Sequence, residues 1–291
     1  MKELKQITVI GMGLLGGSIT LGVLRNFSGT KAIGYSHRAK TRQKGRVLSV
    51  ASEITDDIRD SVYKSDLVIL ATPIYTFEQI LIDISDALSK GCIVTDVGST
   101  KLFPHQWARK QLPKHIHYIG SHPIAGSEQR GVEYARDDLF DLATCIVTTT
   151  PTTNRRAADI VKRFWIKLGC AVKELTPADH DRIYSDISHV PHVLAAALIN
   201  ANNSKTLEFA GKGFIDTTRI ASGPANIWTD VFAANSKNTI KGINKVIAEL
   251  TKFKTAIKAG DRKKVEQLLK KARDKRTAMI KQKIRKRELL S

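Results

Sequence analysis

Ile7-Thr8-Val9-Ile10-Gly11-Met12-Gly13-Leu14-Leu15-Gly16 is the stretch whose reading decides the fold. Four apolar or β-branched residues run straight into a glycine, the pattern of a short buried strand. Gly11, Gly13 and Gly16 then fit G-x-G-x-x-G, and Ser18 to Leu24 continues with helical spacing. Between a strand and a helix, the first glycine permits a tight turn and the second lets the backbone approach a pyrophosphate. The third lets helix and strand pack closely, and the helix N-terminus faces the phosphates. Gly11, Met12, Gly13, Leu14, Leu15 and Gly16 are therefore expected to bind a dinucleotide.

Working outward, strand-like runs recur at Lys31 to Tyr35, Asp66 to Ala71, Cys92 to Asp96, His117 to Gly120 and Cys145 to Thr148. Helix-length stretches such as Thr76 to Leu88 and Asn154 to Leu168 lie between them. Apolar strands alternating with helices predict an α/β fold with a doubly wound parallel sheet covered on both faces. The character changes at Thr176-Pro177-Ala178-Asp179, which reads as a helix start, with Thr176 as N-cap, Pro177 at the first position and an acid three residues past the cap. Beyond it only helical signals appear. Ile240, Ile243, Ile247, Leu250, Phe253 and Ile257 form one stripe, Gly260-Asp261 stops one helix and caps the next, and Val265, Leu268, Leu269 and Ala272 are expected to face inward. Residues 1–176 are expected to form the dinucleotide-binding domain and residues 177–291 a helical substrate and dimerisation domain, whose long stripes suit a homodimer.

Charge is distributed unevenly. The 291 residues carry a formal net charge of +19, and residues 236–291 hold 19 Lys+Arg against 5 Asp+Glu, a net of +14. Solvated helix faces, a field for an anionic substrate and a nucleic-acid patch are the competing readings. Against nucleic acid, the segment offers Phe253 as its one aromatic for base stacking. The aliphatic run Leu194 to Ile199 is far too short to span a bilayer, and the N-terminus shows no signal-peptide pattern, so no membrane partner is expected. Cys92, Cys145 and Cys170 are odd in number and lack C-x-x-C, which argues against a disulfide framework or zinc site and for a cytoplasmic location.

Cofactor choice is read after the second strand, where an acid usually bonds the ribose of NAD. Here Ser36, His37 and Arg38 stand there instead. Ser36 and Arg38 suit a 2′-phosphate, so NADP is favoured, with NAD held through Ser36 as the alternative. Thr72-Pro73, at the end of another strand, completes the expected cofactor set.

Four further motifs fall where ligands gather in such sheets or in the helical segment: Gly98-Ser99-Thr100-Lys101, Ser121-His122-Pro123-Ile124-Ala125-Gly126-Ser127-Glu128, His189-Val190-Pro191-His192, and Thr217-Thr218-Arg219-Ile220-Ala221-Ser222 followed by Trp228. A histidine after a sheet strand can accept a proton near neutral pH. In this order the motifs resemble the prephenate/arogenate dehydrogenase family of tyrosine biosynthesis, and the likeness runs from Ile7 to about residue 280. The resemblance implies a Rossmann domain followed by a helical dimerisation domain. It also implies NAD(P)-dependent oxidative decarboxylation of a cyclohexadienol with two carboxylates, a small anionic substrate.

By the same resemblance His122 is the base for the ring hydroxyl, and Ser99 bonds that hydroxyl or orients His122. Arg219 binds a substrate carboxylate, assisted by His192, and Trp228 lines the pocket. Ser127 and Glu128 gate the entrance, and Lys101 adds positive potential. Lys212, in Gly211-Lys212-Gly213-Phe214, stands where a run of glycines is common, and Asn226 where a larger apolar residue is usual; both leave prephenate versus arogenate open. With no mutase segment before Ile7 and no room for a regulatory domain after residue 290, a monofunctional enzyme is expected. A β-hydroxyacid dehydrogenase would place a lysine base in the helical domain, where histidines and arginine stand instead. A dinucleotide-sensing nucleic-acid-binding protein is the alternative of another class. His189 and His192 lack H-E-x-x-H or a third ligand, so no metal is expected.

Overall fold

A computed structural model describes residues 4–125 and 129–285. Eight strands form one sheet: β1 (Gln6–Ile10), β2 (Lys31–Tyr35), β3 (Glu53–Thr55), β4 (Leu67–Leu70), β5 (Ile93–Asp96), β6 (His117–Ile124), β7 (Thr144–Thr148) and β8 (Ala171–Leu175). Their order is β3-β2-β1-β4-β5-β6-β7-β8, so the strand order reverses between β1 and β4, where a doubly wound sheet opens its ligand crevice. Every neighbouring pair is parallel except β6 and β7, which run antiparallel with His122 opposite Ile146. The sheet is thus the expected doubly wound one, parallel but for this pair. One expectation changes: His122 lies within β6 rather than after a strand, because β7 keeps the chain extended to Ile124 after β5 has ended.

Alternating residues of the central strands enter two cores. Ile7, Val9, Leu67 and Ile69 pack with Ile19 and Val23 of the Leu14–Asn26 helix and with Val161, Phe164 and Trp165 of the Arg155–Lys167 helix. Ile10, Val68, Leu70 and Val94 pack on the other side with Phe77, Ile80, Leu81 and Ile84 of the Phe77–Ile84 helix. Burying each such side chain contributes about 1.5–3 kcal/mol, so both faces are covered at large gain. Local chemistry sets the helix ends. The Asn154 side chain accepts a hydrogen bond from Ala157 N at 2.9 Å, and Gly169, at φ +96°, turns the chain out after Leu168.

The chain divides into two compact units, one holding residues up to Ile183 together with Ser222–Ala234, the other Tyr184–Ala221 and the residues from Asn235. The chain first passes from one unit to the other at Ile183/Tyr184. The Thr176 cap forms as expected, with Thr176 Oγ1 accepting from Asp179 N at 3.1 Å. The Pro177–Tyr184 helix nevertheless stays with the first unit, because His180 and Asp181 bond to it. Trp228 likewise belongs to the first unit, half-buried and beside Phe232 with ring centroids 5.5 Å apart.

The second unit is helical. Its long elements are Val190–Asn200, Ser236–Lys258 and Arg262–Arg285. Gly260 (φ +66°) turns the chain, and Asp261 accepts from Lys264 N at 2.9 Å to cap the last helix, as the sequence predicts. The stripe is not turned inward. Ile240, Ile247, Leu250 and Ile257 are all more than half exposed, Leu269 is exposed and Val265 and Leu268 are only half-buried. Within one chain nothing of comparable size covers this face among the described residues. No helix among those residues is long and apolar enough to cross a membrane.

Candidate functional site

The turn after β1 is built for close approach. Gly11 has φ +104°, and a Cβ placed on it would lie 2.6 Å from the Ala71 carbonyl oxygen and 2.7 Å from Thr72 Cγ2, so the turns after β1 and β4 abut. A Cβ on Gly16 would fall 1.8 Å from the Gly11 carbonyl oxygen, which requires glycine where helix and turn touch. On Gly13 a Cβ would meet nothing within 4 Å, so the backbone that opens the Leu14–Asn26 helix is bare toward the crevice. This is the cradle a pyrophosphate needs, with unpaired first-turn N–H groups as donors. Met12 contributes backbone only, because its buried side chain packs against Gly34. Leu14 and Leu15 are half-buried against the first core.

At the end of β2, Ser36 is buried and its Oγ accepts from Arg38 N at 3.3 Å. His37 and Arg38 are exposed, with Arg38 Nε 3.3 Å from His37 Nε2. Arg42 fixes this loop by donating to the carbonyls of Ser36 and His37 and pairing with Asp56 at 2.7 Å. Thr72 bonds Thr76 at 2.7 Å, side chain to side chain, and Thr76 in turn donates to the Pro73 carbonyl.

Beyond β5, Asp96 organises the turn. Its Oδ1 accepts from Tyr118 OH at 2.8 Å and Ser121 N at 3.1 Å; its Oδ2 accepts from Gly98 N at 2.9 Å and from Lys101 Nζ. Lys101 Nζ also donates to the Ser121 carbonyl at 2.6 Å. Asp96 and Lys101 are both wholly buried. This corrects the assignment of Lys101: its charge is compensated inside the protein, and it braces the strand that carries His122 instead of facing a substrate. Burial first, then the Asp96 charge, push the Tyr118 hydroxyl well above its usual range. On the neighbouring Leu102–Gln111 helix, His105 meets Thr148 Oγ1 at 2.9 Å and packs edge-on against Tyr118. Desolvation, then the Lys101 charge, lower its pKa to about 4.

His122 is partly buried, and its Nδ1 lies 2.9 Å from His180 Nε2. His180 Nδ1 lies 2.8 Å from Asp181 Oδ1, and both residues are wholly buried. Ser99, expected to bond the ring hydroxyl or to orient His122, is half-buried on the turn after β5, and His180 is a partner observed on the His122 ring. His180 and Asp181 escape sequence reasoning because they stand one turn into a helix whose start reads only as a cap. The available signal is an adjacent His-Asp pair on a helix face that also buries Pro177. Ser127 and Glu128 lie outside the described residues.

In the second unit, His192 is buried on the Val190–Asn200 helix, and burial lowers its pKa. Arg219 is exposed at the start of the Arg219–Ser222 turn, which follows the Lys212–Thr218 helix. His189 is buried and bonds Asn235 at 3.2 Å.

Comparison with known proteins points one way. The family profile described as prephenate dehydrogenase, nucleotide-binding domain, matches residues 21–190, and that of the prephenate dehydrogenase dimerization domain matches residues 176–271. The prephenate dehydrogenase of Bacillus subtilis is 32% identical over 290 residues, covering 96% of this chain and 77% of that protein. The cyclohexadienyl dehydrogenase of Zymomonas mobilis is 30% identical over 268 residues, 90% of this chain and 91% of that one. Among solved structures, prephenate dehydrogenase from A. aeolicus in complex with hydroxyphenyl propionate and NAD+ gives a TM-score of 0.89 at 31% identity, covering 95% of this chain and 98% of that one. Synechocystis arogenate dehydrogenase gives 0.81 at 28% identity, covering 94% and 99%.

Proposed function

The chain belongs to the prephenate dehydrogenase family, and from that premise we propose a division of labour among its residues. The protein is an oxidoreductase that oxidatively decarboxylates prephenate or arogenate. A nicotinamide dinucleotide, when bound, supplies the acceptor for the hydride leaving the ring carbon that bears the hydroxyl. Gly11 to Gly16 would hold its pyrophosphate, with the bare backbone at Gly13 as the structural reason. Ser36 and Arg38 would hold a 2′-phosphate, since no acid follows β2; NADP is accordingly the proposed preference and NAD the alternative.

His122 acts as base. With Nδ1 committed to His180, the proton is taken at Nε2, as the ring C–H bond breaks. The bond to the ring carboxylate then breaks, its electron pair completes the aromatic ring, and carbon dioxide departs. The proton returns from His122 to the ring oxygen, so the product is a phenol and no net proton is released. Arg219 is proposed to bind a substrate carboxylate as a guanidinium fork, His192 to assist it and Trp228 to line the pocket. The protein is proposed to work as a homodimer through the exposed stripe of its second unit, in line with the dimerization-domain profile matched there.

The observation that carries this reading is His122 held on β6 by a buried partner. A spectrophotometric panel of prephenate and arogenate, each with NAD and NADP, tests it by the appearance of reduced nicotinamide. Turnover of at least one pair is expected, with NADP preferred. His122→Asn should lower kcat by roughly two to four powers of ten with little change in KM. Near-normal kcat in that variant removes His122 from the role.

A further inference from the structure

Resting on the assignment of His122 as base, we infer that His180 and Asp181 are its positioning residues, a buried relay that fixes the tautomer of His122 and steadies the charge it acquires. The polarity follows from counting donors. Asp181 Oδ1 accepts from Lys101 N at 2.7 Å, and Oδ2 accepts from Leu102 N at 2.9 Å. Both backbone groups can only donate, so both oxygens must accept, and the side chain fits its site as a carboxylate. These same bonds tie it to the first residues of the Leu102–Gln111 helix, where the helix dipole also favours negative charge.

A carboxylate that accepts at Oδ1 makes the neighbouring His180 Nδ1 the donor across 2.8 Å. Neutral His180 then carries no hydrogen on Nε2, which becomes the acceptor in the 2.9 Å contact with His122. His122 therefore holds its hydrogen on Nδ1 and presents the lone pair of Nε2, the form a base requires. When Nε2 takes the substrate's hydroxyl proton, Nδ1–H keeps donating to His180. The Asp181 charge, one imidazole away, balances the imidazolium; no proton beyond the substrate's own need move. The other charges nearby, Asp96 and Lys101, pair with each other.

The logic separates three substitutions. His180→Leu removes the acceptor; kcat should fall by roughly 100-fold while KM stays within about threefold, and the acid limb of the kcat/KM profile should move to lower pH, because the carboxylate no longer favours protonated His122. His180→Gln restores an acceptor oxygen, so most of kcat should return, but the acid limb should stay displaced because the link to Asp181 is still cut. Asp181→Asn removes the charge, and either amide orientation sets its N–H against the N–H of Lys101 or Leu102, so kcat should fall and the acid limb should move to lower pH as in His180→Leu. Folding is checked by circular dichroism and by KM for the dinucleotide.

Nitrogen-15 NMR of wild-type holoprotein supplies a readout independent of activity: His122 should show hydrogen on Nδ1. Wild-type kcat and an unmoved acid limb in folded His180 variants, or hydrogen on Nε2 of wild-type His122, would overturn the relay. The His122→Asn control keeps the two questions apart. If it is inactive while the His180 and Asp181 variants behave as wild type, the relay alone fails; if it is active, the base assignment fails first.

Discussion

Lys101 shows how much a single side chain's direction matters. Its closeness to Ser99 in sequence suggests a cation near the substrate, yet the ammonium is buried between Asp96 and the Ser121 carbonyl. Breaking one half of a buried ion pair leaves the other charge uncompensated and costs about 3–5 kcal/mol. Lys101→Met should therefore lower stability by that order in denaturant titrations. Measured at a temperature where the variant is folded, its KM for substrate should be close to wild type; a large rise in KM with unchanged stability would restore the substrate-side role.

His105 offers a second residue-level test. Folded, it stays neutral down to about 4, whereas in the unfolded chain it protonates near 6.5. Between those values unfolding takes up a proton, so stability is fully present above the unfolded value and falls as pH drops toward about 4. The loss at about pH 5 should be roughly 1–2 kcal/mol, and His105→Gln, which can keep a bond to Thr148, should lose less over the same interval. Equal losses in urea midpoints for both proteins would count against it. His122 was readable at this scale because its motif sits on one continuous segment; the His180–Asp181 pair was not, since its meaning comes from partners 58 and 80 residues away along the chain.

Among the elements, legibility tracked burial. β1, β4 and β5 were plain because both faces are covered, so buried and mostly apolar residues follow one another along each strand. β3 has only three residues, and β8 is an edge strand whose Lys173 and Glu174 are exposed, so neither shows the apolar run by which strands are found. The antiparallel sense of β7 was likewise invisible, because periodicity reports which face a residue takes and not the direction of its neighbour. β6 gains its length from this arrangement. Its first three residues pair with β5 and its last five with β7, and the second part carries His122. The base thus stands on paired backbone, where its direction is fixed by the sheet instead of by a loop.

For the molecule as a whole, the helical second half was legible as helix but not as surface. A stripe at steps of three and four identifies a buried face without saying which chain buries it. Ile240, Ile247, Leu250 and Ile257 remain exposed in a single copy, and a second copy is the proposed cover. Replacing Ile247 and Leu250 together by glutamate should convert the protein to monomers in sedimentation velocity; an unchanged sedimentation coefficient would dismiss the stripe as the contact.

The helix that carries this stripe and the one that follows it also carry most of the excess lysine and arginine. Bringing two such surfaces together concentrates like charge, so the attraction of the oily seam works against an electrostatic repulsion that dissolved ions weaken. Subunit affinity should then rise as sodium chloride is added, the reverse of an assembly held by bridges between opposite charges, and dilute buffer would be the condition in which the pair comes apart.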